Sequence, residues 1–132
     1  MPFVAIQPPA DETRLAEVGR EIYEAAHRMG LDMDVEGFIH AWVTGLRVLA
    51  ERDAAGAITG ICLMALGKKW TRQDYTASIL ELRGEDHDAM LEFAKQIASA
   101  MGATSLFHET SPPFPTPVDG KITRTVTEFI LQ

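Results

Sequence analysis

Residues 46–66 read LRVLAERDAAGAITGICLMAL, residues 75–83 read YTASILELR, and residues 104–108 read TSLFH. Leu46 to Arg52 is apolar and extended. Asp53-Ala54-Ala55-Gly56 is a turn, because its glycine accepts positive φ without penalty. Ala57 to Leu66 is a second strand in which Ile58, Ile61, Cys62, Leu63, Met64 and Leu66 leave no polar face. A strand so apolar lies centrally, covered on both sides. Gly60 within it marks a bulge or a close approach. Tyr75 to Arg83 alternates, placing Tyr75, Ala77, Ile79 and Glu81 on one face and Thr76, Ser78, Leu80 and Leu82 on the other. Asp86 or Asp88 caps the helix that follows, with Met90, Phe93, Ala94, Ile97, Ala100 and Met101 as its buried stripe. Gly102 ends that helix, and Thr104 to His108 returns as a strand. A strand-helix-strand crossover makes the two strands parallel.

Upstream, Phe3, Val4 and Ile6 form a short strand that Pro8-Pro9 stops. Asp11 caps a helix whose apolar face is Leu15, Val18, Ile22, Ala25 and Met29, with Glu17, Glu21, Glu24 and Arg28 on its solvated faces. Gly30 closes it. Asp32 or Asp34 caps a shorter helix with Val35, Phe38, Ile39, Trp42 and Val43 at helical spacing. Trp42 reads as core or as the wall of a pocket. His40 falls off the stripe and is exposed, and Gly45 breaks the helix. Downstream of the second long strand, residues 67–74 form a polar loop in which Trp70 covers the core edge or meets an interface. Four prolines in residues 111–117 forbid a regular helix. Residues 109–120 thus connect to a final strand, Lys121 to Gln132, rich in β-branched side chains.

The 132 residues make one domain with one core, 46% hydrophobic and 23% charged. The formal net charge is -7, from 19 acids against 12 bases. Such a surface repels phosphate backbones, and Lys68, Lys69 and Arg72 read as loop solubility rather than a nucleic-acid patch. Cys62, the single cysteine, excludes an intrachain disulfide and a multi-cysteine metal site, and within an apolar strand it acts as a small hydrophobe. No run approaches the roughly 20 apolar residues that span a bilayer. Met1-Pro2-Phe3-Val4 lacks the basic and apolar regions of a secretion signal, which places the protein in the cytoplasm or in a particle assembled there. His87-Asp88 and His108-Glu109 are adjacent pairs without metal-ligand spacing, so no metal is expected. No Walker loop or dinucleotide fingerprint occurs.

The order strand, two helices, antiparallel strands, crossover helix, strand and closing strand resembles the GNAT family of N-acetyltransferases. The resemblance runs from Phe3 to His108, with its closest local match in the hairpin Arg47–Asp53 and Gly56–Ile61. It implies an α+β (α/β/α) fold whose mixed, mostly antiparallel sheet contains one parallel pair splayed in a V. In the family the strand at the place of Tyr75–Arg83 leaves its neighbour, and its free backbone groups pair with the pantetheine arm of acetyl-CoA. By position this assigns Leu80, Leu82, Arg83 and Gly84 to the cofactor. The family loop that follows reads Arg/Gln-x-x-Gly-x-Gly/Ala, and its amides hold the pyrophosphate at a helix N-terminus. Here the junction is Arg83-Gly84-Glu85-Asp86-His87-Asp88-Ala89. The second glycine is absent, and Glu85, Asp86 and Asp88 bring up to three negative charges. One adverse charge at about 5 Å costs on the order of 1–3 kcal/mol at intermediate dielectric. The family's last helix, with a tyrosine that protonates the leaving thiolate, is replaced by the proline run. Glu81 matches a position where the family sometimes has a general base; otherwise it is a partly exposed strand residue or the partner of a nearby arginine.

Those departures imply a divergent GNAT-like protein without efficient transfer and without a cofactor, working as a binding or assembly module. GNAT-like proteins of short-tailed bacteriophages are the analogy, and on it the chain belongs to a virion. Trp70 and Phe114, apolar in polar loops, are then the expected contacts with a protein partner or a second copy. The other reading is an active acetyl-CoA-dependent N-acetyltransferase, whose amine substrate an acidic surface suits. A third is an unrelated α+β domain with the same element order. Splayed parallel pairing of Tyr75–Leu82 with Thr104–His108 separates the third from the first two.

Overall fold

The computed structural model describes residues 2–68, 74–110 and 125–131. Along the chain run β1 (Phe3–Ile6), α1 (Glu12–Arg28), α2 (Val35–Thr44), β2 (Arg47–Arg52), β3 (Ile58–Lys68), β4 (Tyr75–Gly84), α3 (His87–Ala100), β5 (Ala103–Thr110) and β6 (Thr125–Ile130). The strands form one sheet in the order β1-β2-β3-β4-β5-β6. Every pairing is antiparallel except β4 with β5, as the crossover through α3 requires.

Side-chain oxygens start the helices. Asp11 accepts from the Arg14 amide at 2.9 Å, Asp34 from Gly37 at 2.9 Å and Asp86 from Ala89 at 3.1 Å. Each satisfies one of the amides that a first turn leaves free. The hairpin between β2 and β3 is closed by Asp53, whose carboxylate accepts from Ala55 and Ala57, both at 2.9 Å. Gly56 completes the turn at φ +88.

Two apolar clusters sandwich the sheet. On one face Ile22, Ala25 and Ala26 of α1 with Phe38 and Trp42 of α2 pack on Val48, Ala50, Ile58, Ile61 and Leu63. On the other, Met90, Ala94 and Ala98 of α3 pack on Leu49, Cys62, Met64, Ala77, Ile79, Leu82 and Leu106. β3 feeds both clusters, which explains its lack of a polar face. Burial pushes the Cys62 thiol up to about 12, so it is a packing residue rather than a nucleophile.

Three expectations need correction. Val35 and Val43 are exposed although they share the apolar stripe of α2, because only the Phe38–Trp42 line meets the sheet. In α3 Ala98 is buried and Ala100 is exposed, the reverse of the expected edge of that stripe. The alternation of β4 breaks at Leu80. Leu63 faces Glu81 while Met64 faces Ile79, so Leu80 bulges without a cross-strand partner and is 54% exposed. Beyond the bulge the faces exchange. Leu82 joins Ala77 and Ile79 under α3, and Glu81 joins the α1/α2 side instead of theirs. Trp70, Phe114 and most of the proline-rich connection lie outside the described residues, as do positions 121–124 of the expected final strand.

Candidate functional site

The bulge at Leu80 sits where the sheet divides. β4 and β5 pair from Tyr75↔Ala103 to Ile79↔His108 and no further. Residues 81–84 stay paired with β3 on one side, from Leu63↔Glu81 to Gly60↔Gly84. Among the described residues no strand pairs with them on the β5 side. A wedge that no described strand fills therefore opens between β4 and β5, with the N-terminus of α3 at its mouth.

Gly84 shapes that mouth. Its φ is +132, and a Cβ there would stand 2.8 Å from Gly60 Cα and 3.1 Å from the Thr59 carbonyl. Only glycine lets the last residue of β4 lie against β3 and still turn the chain toward α3. Gly60 is thus the close approach that its place in an apolar strand suggested, and the skipped pairing at Thr59 adds a bulge beside it.

Of the residues assigned to a cofactor, Leu80 is exposed at the wedge and Leu82 is core, so only the backbone of Leu82 is presented. Arg83 lies opposite Ile61, on the face of α1 and α2. Its guanidinium pairs with Glu81 at 2.9 Å and donates to the Leu82 carbonyl at 3.1 Å. This side chain belongs to the face opposite α3. Glu81, the candidate base, is about one-third exposed and held by that pair. At the start of α3 the Asp86 carboxylate occupies the Ala89 amide, and Glu85, His87 and Asp88 are exposed beside it.

His108, the last β5 residue paired to β4, was not singled out by its neighbours in sequence. It is half-buried, and its basicity is lowered by burial and then by the charge of His87. The folded state thus binds this proton less readily than the unfolded chain. Stability is unaffected well above the ordinary value of 6.5, then falls as pH drops through that value toward the lowered one. His108→Gln is expected to flatten this acid limb in urea denaturation series; an unchanged slope would refute the assignment. Among the described residues no group of three or more His, Cys, Asp or Glu can hold a metal, and no helix is long and apolar enough to cross a membrane.

No family model and no curated protein sequence matches the chain. Solved structures do. A ribosomal-protein-S18-alanine N-acetyltransferase from Escherichia coli matches with a TM-score of 0.63 and 10% identity, over 98% of this chain and 94% of that one. A GNAT family acetyltransferase from Staphylococcus aureus matches with a TM-score of 0.60 and 8% identity, over 93% and 98%. An aminoglycoside acetyltransferase from an uncultured soil metagenomic sample, solved with sisomicin, matches at 0.59 and 11% identity, over 84% and 77%. At such identities the likeness establishes the fold, which is that of GNAT acetyltransferases.

Proposed function

We propose that this GNAT-fold chain serves as a protein-binding or assembly module in which the nucleotide end of the coenzyme site is closed electrostatically. The observation that carries this is the self-capped start of α3, where Asp86 takes the Ala89 amide at 3.1 Å between exposed Glu85 and Asp88. A diphosphate needs those amides free and a positive field around them. Here it would meet carboxylates, and Arg83, the nearest arginine in sequence, is engaged by Glu81 on the opposite face. These residues do not fit the pyrophosphate of acetyl-CoA. The partner is a protein or a second copy, with Trp70 and Phe114 as its expected contacts.

The test is calorimetric titration of the full chain with acetyl-CoA, beside its mass in solution. No saturable heat at millimolar coenzyme is expected, together with an assembly that Trp70→Ala/Phe114→Ala weakens. Saturable binding that maps to residues 80–84 overturns the closed site, and unchanged assembly removes those two contacts. An acetyl-CoA-dependent N-acetyltransferase acting on an amine is the second reading, favoured by the edge of β4 at residues 80–84, which no described strand pairs on the β5 side. On that reading turnover with acetyl-CoA is measurable, and Glu81→Gln lowers it by about 10²–10⁴-fold, the range for a lost general base.

A further inference from the structure

β2 and β4 run in the same direction, and through Met64 the first residue of β2, Arg47, lies level with Ile79. The wedge opens from that level toward Gly84, and the chain before Arg47 lies the other way. A cavity of about 510 Å³ opens there, between the end of β1, the last turn of α2, the first residues of β2 and the last turn of α3. Pockets that hold small organic ligands occupy about 300–1,000 Å³. Trp42, Val43, Ile97 and Met101 give it apolar walls, and the exposed Val43 and Ala100 lie on its lining.

Among the described residues Arg47 is the one charged side chain in that lining, and no described aspartate or glutamate accompanies it. It sits opposite Met64, on the α3 face of the sheet. Its Nε is buried without a hydrogen-bond partner. A buried unsatisfied donor costs about 1–3 kcal/mol, which an acceptor would recover once the side chain turns its Nε toward the cavity. The neighbouring helix ends do not supply one. The Ala41 carbonyl takes the Leu46 amide at 2.8 Å, and the Ile97 and Ser99 carbonyls take the Met101 and Gly102 amides at 3.0 Å. In a chain of net charge -7, an arginine faced by no acid on an apolar cavity is complementary to an anion from outside. A guanidinium matches a carboxylate through two parallel N–H···O bonds.

We propose that this cavity binds a small organic carboxylate with an apolar chain or ring, its carboxylate on Arg47 and its body against Trp42, Val43, Ile97 and Met101. The site is separate from the wedge and independent of whether coenzyme A binds there.

Decanoate and decanol, titrated separately into the full-length chain and followed by ¹H–¹⁵N NMR, test the proposal. Decanoate is expected to give saturating shifts of the Trp42 indole N–H and of the Gly45, Arg47 and Ala100 amides. Decanol is expected to bind at least about tenfold more weakly, since it lacks the charge-assisted pair. Arg47→Met removes the preference for the anion while keeping the apolar stem, and Arg47→Lys retains part of it. Equal affinities for the two probes, shifts centred on residues 80–84 and His108, or no saturation would each overturn the proposal. If Arg47→Met fails to fold, the comparison of the two probes on the wild-type chain decides alone.

Discussion

Trp42→Ala is expected to lower the free energy of unfolding by about 3–5 kcal/mol, the range for removing a large buried aromatic. Whole domains have about 5–15 kcal/mol, so this single truncation brings the chain near its limit. Trp42 is 1% exposed. Its ring stacks on Phe38 with centroids 5.8 Å apart, and its Nε1–H donates to the Ile6 carbonyl at 3.1 Å. That bond ties α2 to β1 across 36 positions of chain. Truncation removes the ring, frees a carbonyl and merges the new void with the 510 Å³ cavity that Trp42 lines, so neighbours have little means of collapsing inward. Trp42→Phe keeps most of the ring and loses mainly the hydrogen bond, about 1 kcal/mol. Urea denaturation of both variants checks the pair. A loss below about 1 kcal/mol for alanine would show that the tryptophan is not the keystone of the α1/α2 layer.

Gly84→Ala is expected to cost about 2–4 kcal/mol, from backbone strain and overpacking together. The residue would have to hold φ +132, with its Cβ pressed 2.8 Å from Gly60 Cα and 3.1 Å from the Thr59 carbonyl. Both obstacles are backbone and cannot rotate away. Gly60→Ala provides the internal comparison. Its new Cβ would meet Glu51 Cβ at 3.3 Å and the Arg83 carbonyl at 3.4 Å, and its φ is not positive. A smaller loss of about 1 kcal/mol is expected there. Thermal and urea unfolding of the two variants measure the ranking. Equal losses would mean that crowding between β3 and β4 dominates and that the special conformation of Gly84 contributes little.

The element order was readable because its signals are local. Asp11, Asp34 and Asp86 cap within three residues of themselves, and Asp53 to Gly56 closes a turn on its own atoms. The central place of β3 was visible in its unbroken apolar run. What escaped was relational. The bulge at Leu80 exists only as a mismatch of count between β3 and β4, and no residue in 75–84 announces it. A single skipped partner moved Glu81 to the other face and gave Arg83 the same side, where the two pair. The junction around Glu85 and Asp88 was legible as acidic, and its self-capping geometry required the helix start to be placed. The cavity beside Arg47 could not be read at all, because the joint between α2 and β2 meets there the ends of β1 and α3, which are distant in sequence.

The sheet has the same left-to-right order as the chain itself. A ribosome would therefore deliver each strand next to the one it must join, with β2, β3 and β4 able to zip into a meander as they emerge. The parallel union of β4 and β5 must wait until α3 has crossed over, and that of β1 and β2 until α1 and α2 have been made. The pairings most distant in sequence, β1 with β2 and β4 with β5, thus carry the larger loop-closure cost and follow the β2–β4 meander, which is the expected nucleus of the sheet.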